Sequence, residues 1–222
     1  MTTQDSIIDV QNVTISFGEE TVLSSVGHRF ERGMIHGITG CNGSGKTVLI
    51  KCICGFLRPT TGRILVNGKE VGRDTDFPDD IGIIIETPGF LPELSGKKNL
   101  KLLASLKRKA DDAAIEKAMK LVGLDPHAKK PVGKYSLGMR QKLALAQAVM
   151  ENPHLLILDE PFNALDKQSA AHMRELLKSL RAEGKTILLI SHISSDIEML
   201  CDTVCEMDDG KIMPRRLSAE EK

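Results

Sequence analysis

The stretch MIHGITGCNGSGKTVLI, residues 34–50, decides the fold of this 222-residue chain. Its first six residues predict a strand that leads into the glycine-rich loop after it. From Thr47 the pattern predicts a helix that ends near Gly55, a residue type suited to a helix C-terminus. Between strand and helix lies GCNGSGKT, residues 40–47, which matches G-x-x-x-x-G-K-[ST] at every fixed position. A strand, a glycine-rich loop and a helix in this order predict a loop that wraps around phosphate groups.

The chemistry expected of this loop follows from its residue types. Glycines let the backbone curl so that successive N–H groups point at phosphate oxygens, and the beginning of a helix adds partial positive charge. We expect Lys46 to neutralise the β- and γ-phosphates and Thr47 to offer its hydroxyl to Mg²⁺. An ordinary glycine turn with an exposed lysine is the alternative, and the flanking strand and helix disfavour it.

The segment LLILDEP, residues 155–161, delivers two carboxylates at the end of an apolar run. Open α/β sheets bind their ligands at the carboxyl ends of their strands. We therefore expect Asp159 to hold Mg²⁺ through a water molecule. Glu160 is then left to act as general base on an attacking water, an effect of about 10²–10⁴-fold in rate. The alternative is a loop acid pair that only caps a neighbouring element, which the preceding apolar run disfavours.

The segment TILLISH, residues 186–192, repeats this arrangement and ends in His192. A lone histidine is more often a structural or solvated surface group. This one lies just beyond a strand that we expect beside the carboxylate strand. We therefore predict that His192 touches the γ-phosphate and orients the attacking water.

Three short continuous apolar runs, IGIIIE, LLILDE and TILLIS, are typical of strands buried on both faces. They indicate an α/β fold with a parallel sheet covered by helices. Residues 7–17 alternate loosely and predict an edge strand of an N-terminal antiparallel region. RILVNGKEV is predicted to form a hairpin that turns at Asn67 and Gly68.

Residues 97–150 differ, because they predict helices and no strand. The helical segments are 97–108, 111–122 and 137–151, with Gly123 ending the second and Ser136 as N-cap of the third. We predict one domain with a core of about 1–86 and 152–222 and a helical subdomain of about 87–151.

Composition narrows the possible function classes. Thirty basic residues balance thirty acidic ones, so the chain has no strong electrostatic reason to bind nucleic acid. The first ten residues do not resemble a signal peptide, and the apolar runs are too short to cross a membrane. We therefore predict a cytosolic protein unless a partner holds it at a membrane. The five cysteines are odd in number and irregularly spaced, which predicts reduced, mostly buried thiols rather than disulfides or a zinc site.

The order of these motifs resembles that of the ATP-binding-cassette (ABC) transporter ATPases over nearly the whole chain. GCNGSGKT stands as Walker A, LLILDEP as Walker B, YSLGMRQ as the signature, NALD as the D-loop and SH as the switch histidine. The resemblance implies a P-loop NTPase (RecA-like) core with a mostly parallel sheet, an N-terminal antiparallel β-subdomain and an inserted helical subdomain. It implies nucleotide contacts from Phe17, Gly40, Cys41, Asn42, Gly43, Ser44, Gly45, Lys46, Thr47, Val48, Ser136, Gly138, Met139 and Asp166.

Phe17 and the signature residues among these contacts have physical reasons of their own. Phe17 falls where the family places an aromatic ring that stacks on adenine, whereas an isolated phenylalanine in a strand is more often part of a core. In this family two ATPase domains pack head to tail, so that the signature of one faces the nucleotide of the other. Such a motif needs a hydroxyl, here Ser136, a close backbone, here Gly138, and the beginning of a helix, which all favour an anion.

The chain departs from the family pattern at three positions. Leu137 replaces the first signature glycine, and Met139 replaces a glutamine and cannot donate a side-chain hydrogen bond. Glu86 stands where the family usually has a glutamine near Mg²⁺, so we count it with Thr47 and Asp159 as a metal ligand. These departures resemble the branch that exports drugs and antimicrobial peptides, including bacitracin-resistance and lantibiotic-immunity transporters.

The resemblance implies hydrolysis of ATP to ADP and phosphate, with ATP and Mg²⁺ bound at the Walker motifs. It also implies a homodimer or heterodimer of ATPase subunits and a separate transmembrane permease that docks near residues 86–94. The protein would then lie on the inner face of the cell membrane. The alternatives are a soluble ABC ATPase with a non-transport role and a non-hydrolysing regulatory cassette. A single cassette without a long coiled coil disfavours the first, and intact Lys46, Asp159, Glu160 and His192 disfavour the second.

Overall fold

A computed structural model describes residues 6–86, 89–107 and 109–215 of the chain. In chain order its strands are β1 Ser6–Phe17, β2 Glu20–Glu31, β3 Ile35–Thr39, β4 Thr61–Val66, β5 Lys69–Glu70, β6 Ile81–Ile84, β7 Leu155–Asp159, β8 Thr186–Ile190, β9 Thr203–Asp208 and β10 Lys211–Arg215. Its α-helices are α1 Lys46–Ile53, α2 Gly96–Lys107, α3 Asp112–Leu121, α4 Leu137–Val149, α5 Lys167–Ala182 and α6 Ser194–Leu200. The fold is the mixed α/β fold that the sequence predicts.

The described residues form two compact units. We call residues 6–79 with 181–215 the terminal unit and residues 80–180 the central unit. The predicted division into a core and a helical subdomain, at about residues 86 and 151, stays a prediction.

The first sheet of the terminal unit is antiparallel, with the strand order β2-β1-β4-β5. It confirms the predicted N-terminal antiparallel region. The hairpin turn is also confirmed, because Asn67 and Gly68 have φ angles of 51° and 77°. The prediction that residues 7–17 form an edge strand is wrong, since β1 pairs with β2 on one side and β4 on the other. Alternation reports which faces of a strand are buried, whereas the number of neighbours depends on a strand that comes much later in the chain.

The second sheet of the terminal unit is mostly parallel and leads to the phosphate loop. In this unit its strand order is β10-β9-β3-β8, with β3 parallel to both β8 and β9 and β10 antiparallel to β9. All five residues of β8 are buried, as the continuous apolar run predicts. β3 lies between two strands, so the loop that follows it starts from a fixed position.

The central unit contains a parallel strand pair and the predicted helices. β6 and β7 are parallel, with Ile84 opposite Leu158. α4 packs against β6 and α3, and its Leu143 and Ala146 are fully buried. The three helices predicted between residues 97 and 151 are confirmed, including Ser136 as the N-cap of α4. None of the helices in the described ranges has the length and apolar character needed to cross a membrane.

Candidate active site

The phosphate loop joins β3 to α1 and is shaped by positions that only glycine can fill. Gly40 has a φ of 138°, and a Cβ there would lie 2.1 Å from the carbonyl oxygen of Met207. That distance is far below any real contact, so a side chain would push the loop off β9. The sequence prediction of a tight loop between strand and helix is confirmed in this geometry.

The Lys46 side chain folds back over the loop. Its Nζ donates to the carbonyl oxygens of Gly40 and Cys41 at 2.8 and 2.7 Å, and lies 3.4 Å from Ser44 Oγ. The loop backbone therefore holds the ammonium in place, next to the segment where a phosphate is expected to bind. Lys46 and Thr47 are the first two residues of α1. The N–H groups of this first helical turn point toward the N-terminus of the helix, where the loop lies.

Phe17 is exposed rather than part of the core. It is the last residue of β1, pairs with Glu20 across the turn to β2, and keeps 50% of its surface exposed. Two residues further along β2, the Val22 carbonyl oxygen is 3.1 Å from the position that a Cβ on Gly45 would occupy. The turn that carries Phe17 thus adjoins the phosphate loop, and its stacking on adenine stays a prediction.

His192 lies beside the loop, as its position after β8 suggests. A cavity of about 230 Å³ is lined by both the loop and the segment after β8. Its lining residues include Gly40, Cys41, Ser191, His192, Glu198 and Glu206. The structure therefore brings His192 and the phosphate loop together within the terminal unit.

Ser191 and Asp196 fix the segment that carries His192. The buried Ser191 hydroxyl lies 3.4 Å from Asp196 Oδ2, and the N–H of Ile193 donates to Ser191 Oγ at 3.1 Å. Both Ser191 and Asp196 are almost completely buried. His192 itself is exposed and lines the cavity. The buried residues on either side of it therefore hold an accessible histidine in place.

The cysteines divide into one accessible thiol and four buried ones. Cys41 is exposed in the phosphate loop, while Cys52, Cys54, Cys201 and Cys205 are buried and unpaired. Burial raises the pKa of Cys52 to about 11 and that of each of the other three to about 12. This confirms that the thiols are mostly buried, and exposure makes Cys41 the accessible one for reagents.

Alkylation should therefore report on the occupancy of the loop. We expect N-ethylmaleimide to label Cys41 rapidly and the four buried cysteines slowly, and MgATP to slow the fast reaction because the nucleotide covers the loop. Mass spectrometry of labelled peptides over time measures both rates. A Cys41→Ser variant is the control and should lose the fast phase. Equal rates with and without MgATP would contradict the predicted contact between Cys41 and the nucleotide.

The acidic residues of the site lie at one edge of the central unit. Asp159 ends β7 and Glu160 follows it, while Glu86 follows β6. Because Ile84 pairs with Leu158, Glu86 and Glu160 each come two residues after a paired position and leave the sheet at the same edge. Both have left-handed backbones, with φ angles of 57° and 50°. Non-glycine residues with such angles are uncommon and concentrate at functional sites.

The hydroxyl and carboxylate oxygens near these motifs suit Mg²⁺ better than a metal ion that takes all of its ligands from protein side chains. Among residues 6–86, 89–107 and 109–215, no group of three His, Cys, Asp or Glu side chains could hold a metal ion. Mg²⁺ commonly takes one or two protein oxygens and completes its shell with water and phosphate oxygens. Within the central unit the carboxylates of Asp159 and Glu86 fit that requirement, and within the terminal unit the hydroxyl of Thr47 is a donor of a suitable type.

The signature segment presents its serine to solvent. Ser136 is exposed, and its Oγ accepts from the N–H of Met139 at 3.2 Å, which caps α4. Leu137, the first residue of the helix, is 61% exposed although it is apolar. The beginning of α4 is therefore not buried in its own unit.

Lys130, which belongs to none of the sequence motifs, lies beside Met139 in the signature segment. The ammonium of Lys130 is 4.0 Å from the sulfur of Met139 and 5.9 Å from the centroid of the Tyr135 ring. A cation close to an aromatic face is attracted by its quadrupole. The chain thus places a positive charge next to the position where Met139 lacks the amide donor of glutamine.

Asp166 has a local role in the structure. Its carboxylate accepts from the N–H of Ser169 at 2.8 Å and from the Ser169 hydroxyl at 2.9 Å, at the beginning of α5. These bonds to Ser169 lower the pKa of Asp166 below its ordinary value. The predicted nucleotide contact of Asp166 stays a prediction, and this cap gives the residue a structural function as well.

The fold and these motifs define a nucleotide-binding ATPase domain, and comparison with known proteins identifies its family. The chain belongs to the ABC transporter family, whose sequence model, described as "ABC transporter", matches residues 23–163. It is 40% identical over 206 residues to the uncharacterized ABC transporter ATP-binding protein YybJ of Bacillus subtilis, covering 93% of this chain and 94% of YybJ.

Two further comparisons bear on the branch and the fold. The chain is 37% identical to the bacitracin transport ATP-binding protein BcrA of Enterococcus faecalis, covering 96% of this chain and 70% of BcrA. A solved structure described as the ATP-binding subunit of an ABC transporter superposes with a TM-score of 0.86 and 28% identity, covering 96% of this chain and 90% of that one. The predicted family, fold and enzyme class are confirmed: the chain is an ATP-binding, ATP-hydrolysing subunit of an ABC transporter.

Proposed function

We propose that this subunit works as a head-to-tail dimer, with a second copy or a paralogue, and drives export of a drug or antimicrobial peptide through a separate permease. Each composite site would combine the Walker motifs of one subunit with the signature of the other. The observation that carries this proposal is the exposure of Ser136 and of the apolar Leu137 at the beginning of α4. A hydroxyl and a leucine turned to solvent suit a surface that a second subunit covers.

In each site the loop and its flanking residues hold the nucleotide. Phe17 stacks on adenine, and the loop N–H groups with Lys46 bind the phosphates. Thr47, Asp159 and Glu86 hold Mg²⁺, which neutralises charge on the phosphate oxygens when it is bound.

Glu160 and His192 act on the attacking water. Glu160 takes a proton from the water as its oxygen attacks the γ-phosphorus, and the bond from that phosphorus to the β,γ-bridging oxygen breaks. ADP and inorganic phosphate are the products. His192, which lines the cavity beside the loop, donates to the γ-phosphate and orients the water.

The opposite subunit completes the site without supplying an acid or base. Its Ser136 hydroxyl can accept from the Met139 N–H and still donate to the γ-phosphate, because a hydroxyl does both. Gly138 and the beginning of α4 add backbone N–H groups, and Met139 contacts the nucleotide. Asp166 reaches the same region from the D-loop. These groups stabilise the charge of the transition state.

Similarity to relatives supports the proposed permease and the proposed class of cargo. The name of BcrA assigns it to bacitracin transport, and we extend export of a related class of compound to this chain. The permease holds the subunit at the inner face of the membrane and docks near residues 86–94. Phe90 is half-buried and Leu91 is 41% exposed in this strip, whereas Thr87 and Pro88 lie outside the described residues.

Mixing two inactive variants tests the composite site. A Lys46→Ala subunit has a damaged nucleotide loop, and a Ser136→Glu subunit has a carboxylate where the opposite γ-phosphate should bind. Their mixed dimer keeps one intact site out of two. Because random exchange makes half of the dimers mixed, we expect the mixture to recover activity, up to about a quarter of the wild-type ATPase rate when the two sites turn over independently and less when they are linked.

The control mixture combines Lys46→Ala with Glu160→Gln. Both changes damage the Walker side, so no mixed dimer contains an intact site and no activity should return. The wild-type rate per subunit should also fall on about hundredfold dilution, because dimers dissociate. A rate independent of dilution, together with no recovery in the first mixture, would contradict the head-to-tail dimer.

A further inference from the structure

A side chain of the signature helix contacts the backbone of the candidate general base. Gln141, in the second turn of α4, donates from Nε2 to the carbonyl oxygen of Glu160 at 3.2 Å. Both residues belong to the central unit and are half-buried. The same carbonyl oxygen accepts from the N–H of Asn163 at 3.2 Å. One oxygen thus joins the turn after β7 to α4.

The orientation of this carbonyl matters because Glu160 has an unfavourable backbone. Its φ of 50° lies in the left-handed region, which a residue with a Cβ adopts only when neighbouring contacts hold it there. The direction of the carbonyl sets ψ, and φ and ψ together set the direction in which the side chain leaves the backbone. A donor fixed on a helix therefore helps to fix the Glu160 carboxylate.

A second contact joins α4 to the segment after Glu160. A Cβ on Gly138 would lie 2.8 Å from the carbonyl oxygen of Ala164, so the helix and this segment are as close as a glycine permits. Ala164 also has a left-handed backbone, with a φ of 62°. The first two turns of α4 therefore contact the chain at Glu160 and again four residues later, at Ala164. A shift of α4 along this segment displaces both points.

We infer that Gln141 is a positioning residue, which holds the Glu160 carbonyl and couples the signature helix to the general base of its own subunit. The inference rests on the proposed function of Glu160 and Ser136. When Ser136 engages the nucleotide of the opposite subunit, α4 is held in place, and Gln141 transmits this to Glu160. Each subunit's base then becomes fully oriented only when its own signature is engaged, so the two sites of a dimer are linked.

Three substitutions test this coupling. Gln141→Met keeps a side chain of similar length without a donor, and Gln141→Lys restores an N–H donor. Gln147→Met makes the same change six residues further along α4, where Gln147 is also half-buried. We expect Gln141→Met to lower kcat by about tenfold or more, because small misplacements of a catalytic group are costly, with KM for ATP and nucleotide affinity within about twofold of wild type. Gln141→Lys should recover most of the loss, and Gln147→Met should match wild type.

A second measurement does not depend on turnover. Hydrogen–deuterium exchange of the backbone amides at residues 160–165 should rise in Gln141→Met and stay unchanged in Gln147→Met. The inference is overturned if Gln141→Met keeps both the wild-type kcat and the wild-type exchange. It is also overturned if Gln141→Lys is no better than Gln141→Met, or if nucleotide affinity falls as much as kcat.

Failure of the proposed function gives a different result. If Glu160→Gln hydrolyses ATP at the wild-type rate, the role of Glu160 as base is wrong, whatever Gln141 does. If Glu160→Gln is inactive while Gln141→Met is fully active, only the positioning role fails.

Discussion

Glu160→Gln is expected to bind ATP with wild-type affinity and to lose at least about 10²-fold in kcat. Glutamine has nearly the shape of glutamate and keeps the backbone of the turn, including the carbonyl that accepts from Gln141 and Asn163. It cannot take a proton from water, since its amide is not basic at neutral pH. The change therefore removes the proposed base without disturbing the loop that we propose binds the phosphates.

The same variant should accumulate as a dimer in the presence of MgATP. If two nucleotides hold two subunits together, and hydrolysis lets them part, a subunit that binds but does not hydrolyse stays associated. Size-exclusion chromatography with and without MgATP measures this, and phosphate release measures kcat. Glu183→Gln, a change of the same kind at an exposed residue of the terminal unit, is the control and should behave as wild type. Wild-type turnover by Glu160→Gln would remove Glu160 from the mechanism.

Local sequence patterns were sufficient for the elements that carry the motifs. The strand before the loop, the helix after it and the hairpin at Asn67 and Gly68 each follow from a short segment whose residue types allow few conformations. The helix stop near residue 123 and the cap at Ser136 are of the same kind. Such features depend on neighbours in the sequence, so the sequence alone predicts them.

Features that depend on distant partners were not predicted from the sequence. The place of β1 inside its sheet depends on pairing with β4, and the sequence pattern around residue 8 is compatible with an edge. β9 and β10, whose pairing completes the terminal unit's mostly parallel sheet, have no distinctive motif. Sheet order is set by contacts between segments far apart in the chain, which periodicity does not encode.

The candidate site shows the same division. Motif spacing placed the loop, the carboxylates and His192 at strand ends, because each directly follows a segment that is predicted to be a strand. Lys130 and Gln141 had no such signal. Lys130 was found through its contacts with Met139, nine positions away, and with the Tyr135 ring, and Gln141 through its contact with the Glu160 carbonyl, 19 positions away. A lysine and a helical glutamine outside any catalytic motif reach these positions only through the fold.

Lys46→Ala is expected to weaken ATP binding by about 10–100-fold, because hydrogen bonds to charged groups contribute about 1.5–3 kcal/mol and each 1.4 kcal/mol is tenfold in affinity. The Lys46 ammonium is held by the Gly40 and Cys41 carbonyl oxygens, so the wild-type loop already has it where we propose that the phosphates bind. Isothermal titration calorimetry with ADP or a non-hydrolysed ATP analogue measures the change.

Lys211→Ala removes the same charge from an exposed position of β10 and is the matched control for Lys46→Ala, since it should leave affinity unchanged. The melting temperature separates loss of a ligand contact from loss of the fold. Gly40 and Cys41 lose a hydrogen-bond donor in Lys46→Ala, but their exposed or half-buried position lets water replace it, so we expect a melting temperature close to that of wild type. Undiminished affinity in Lys46→Ala, with its fold intact, would mean that the phosphates are held by the loop backbone alone.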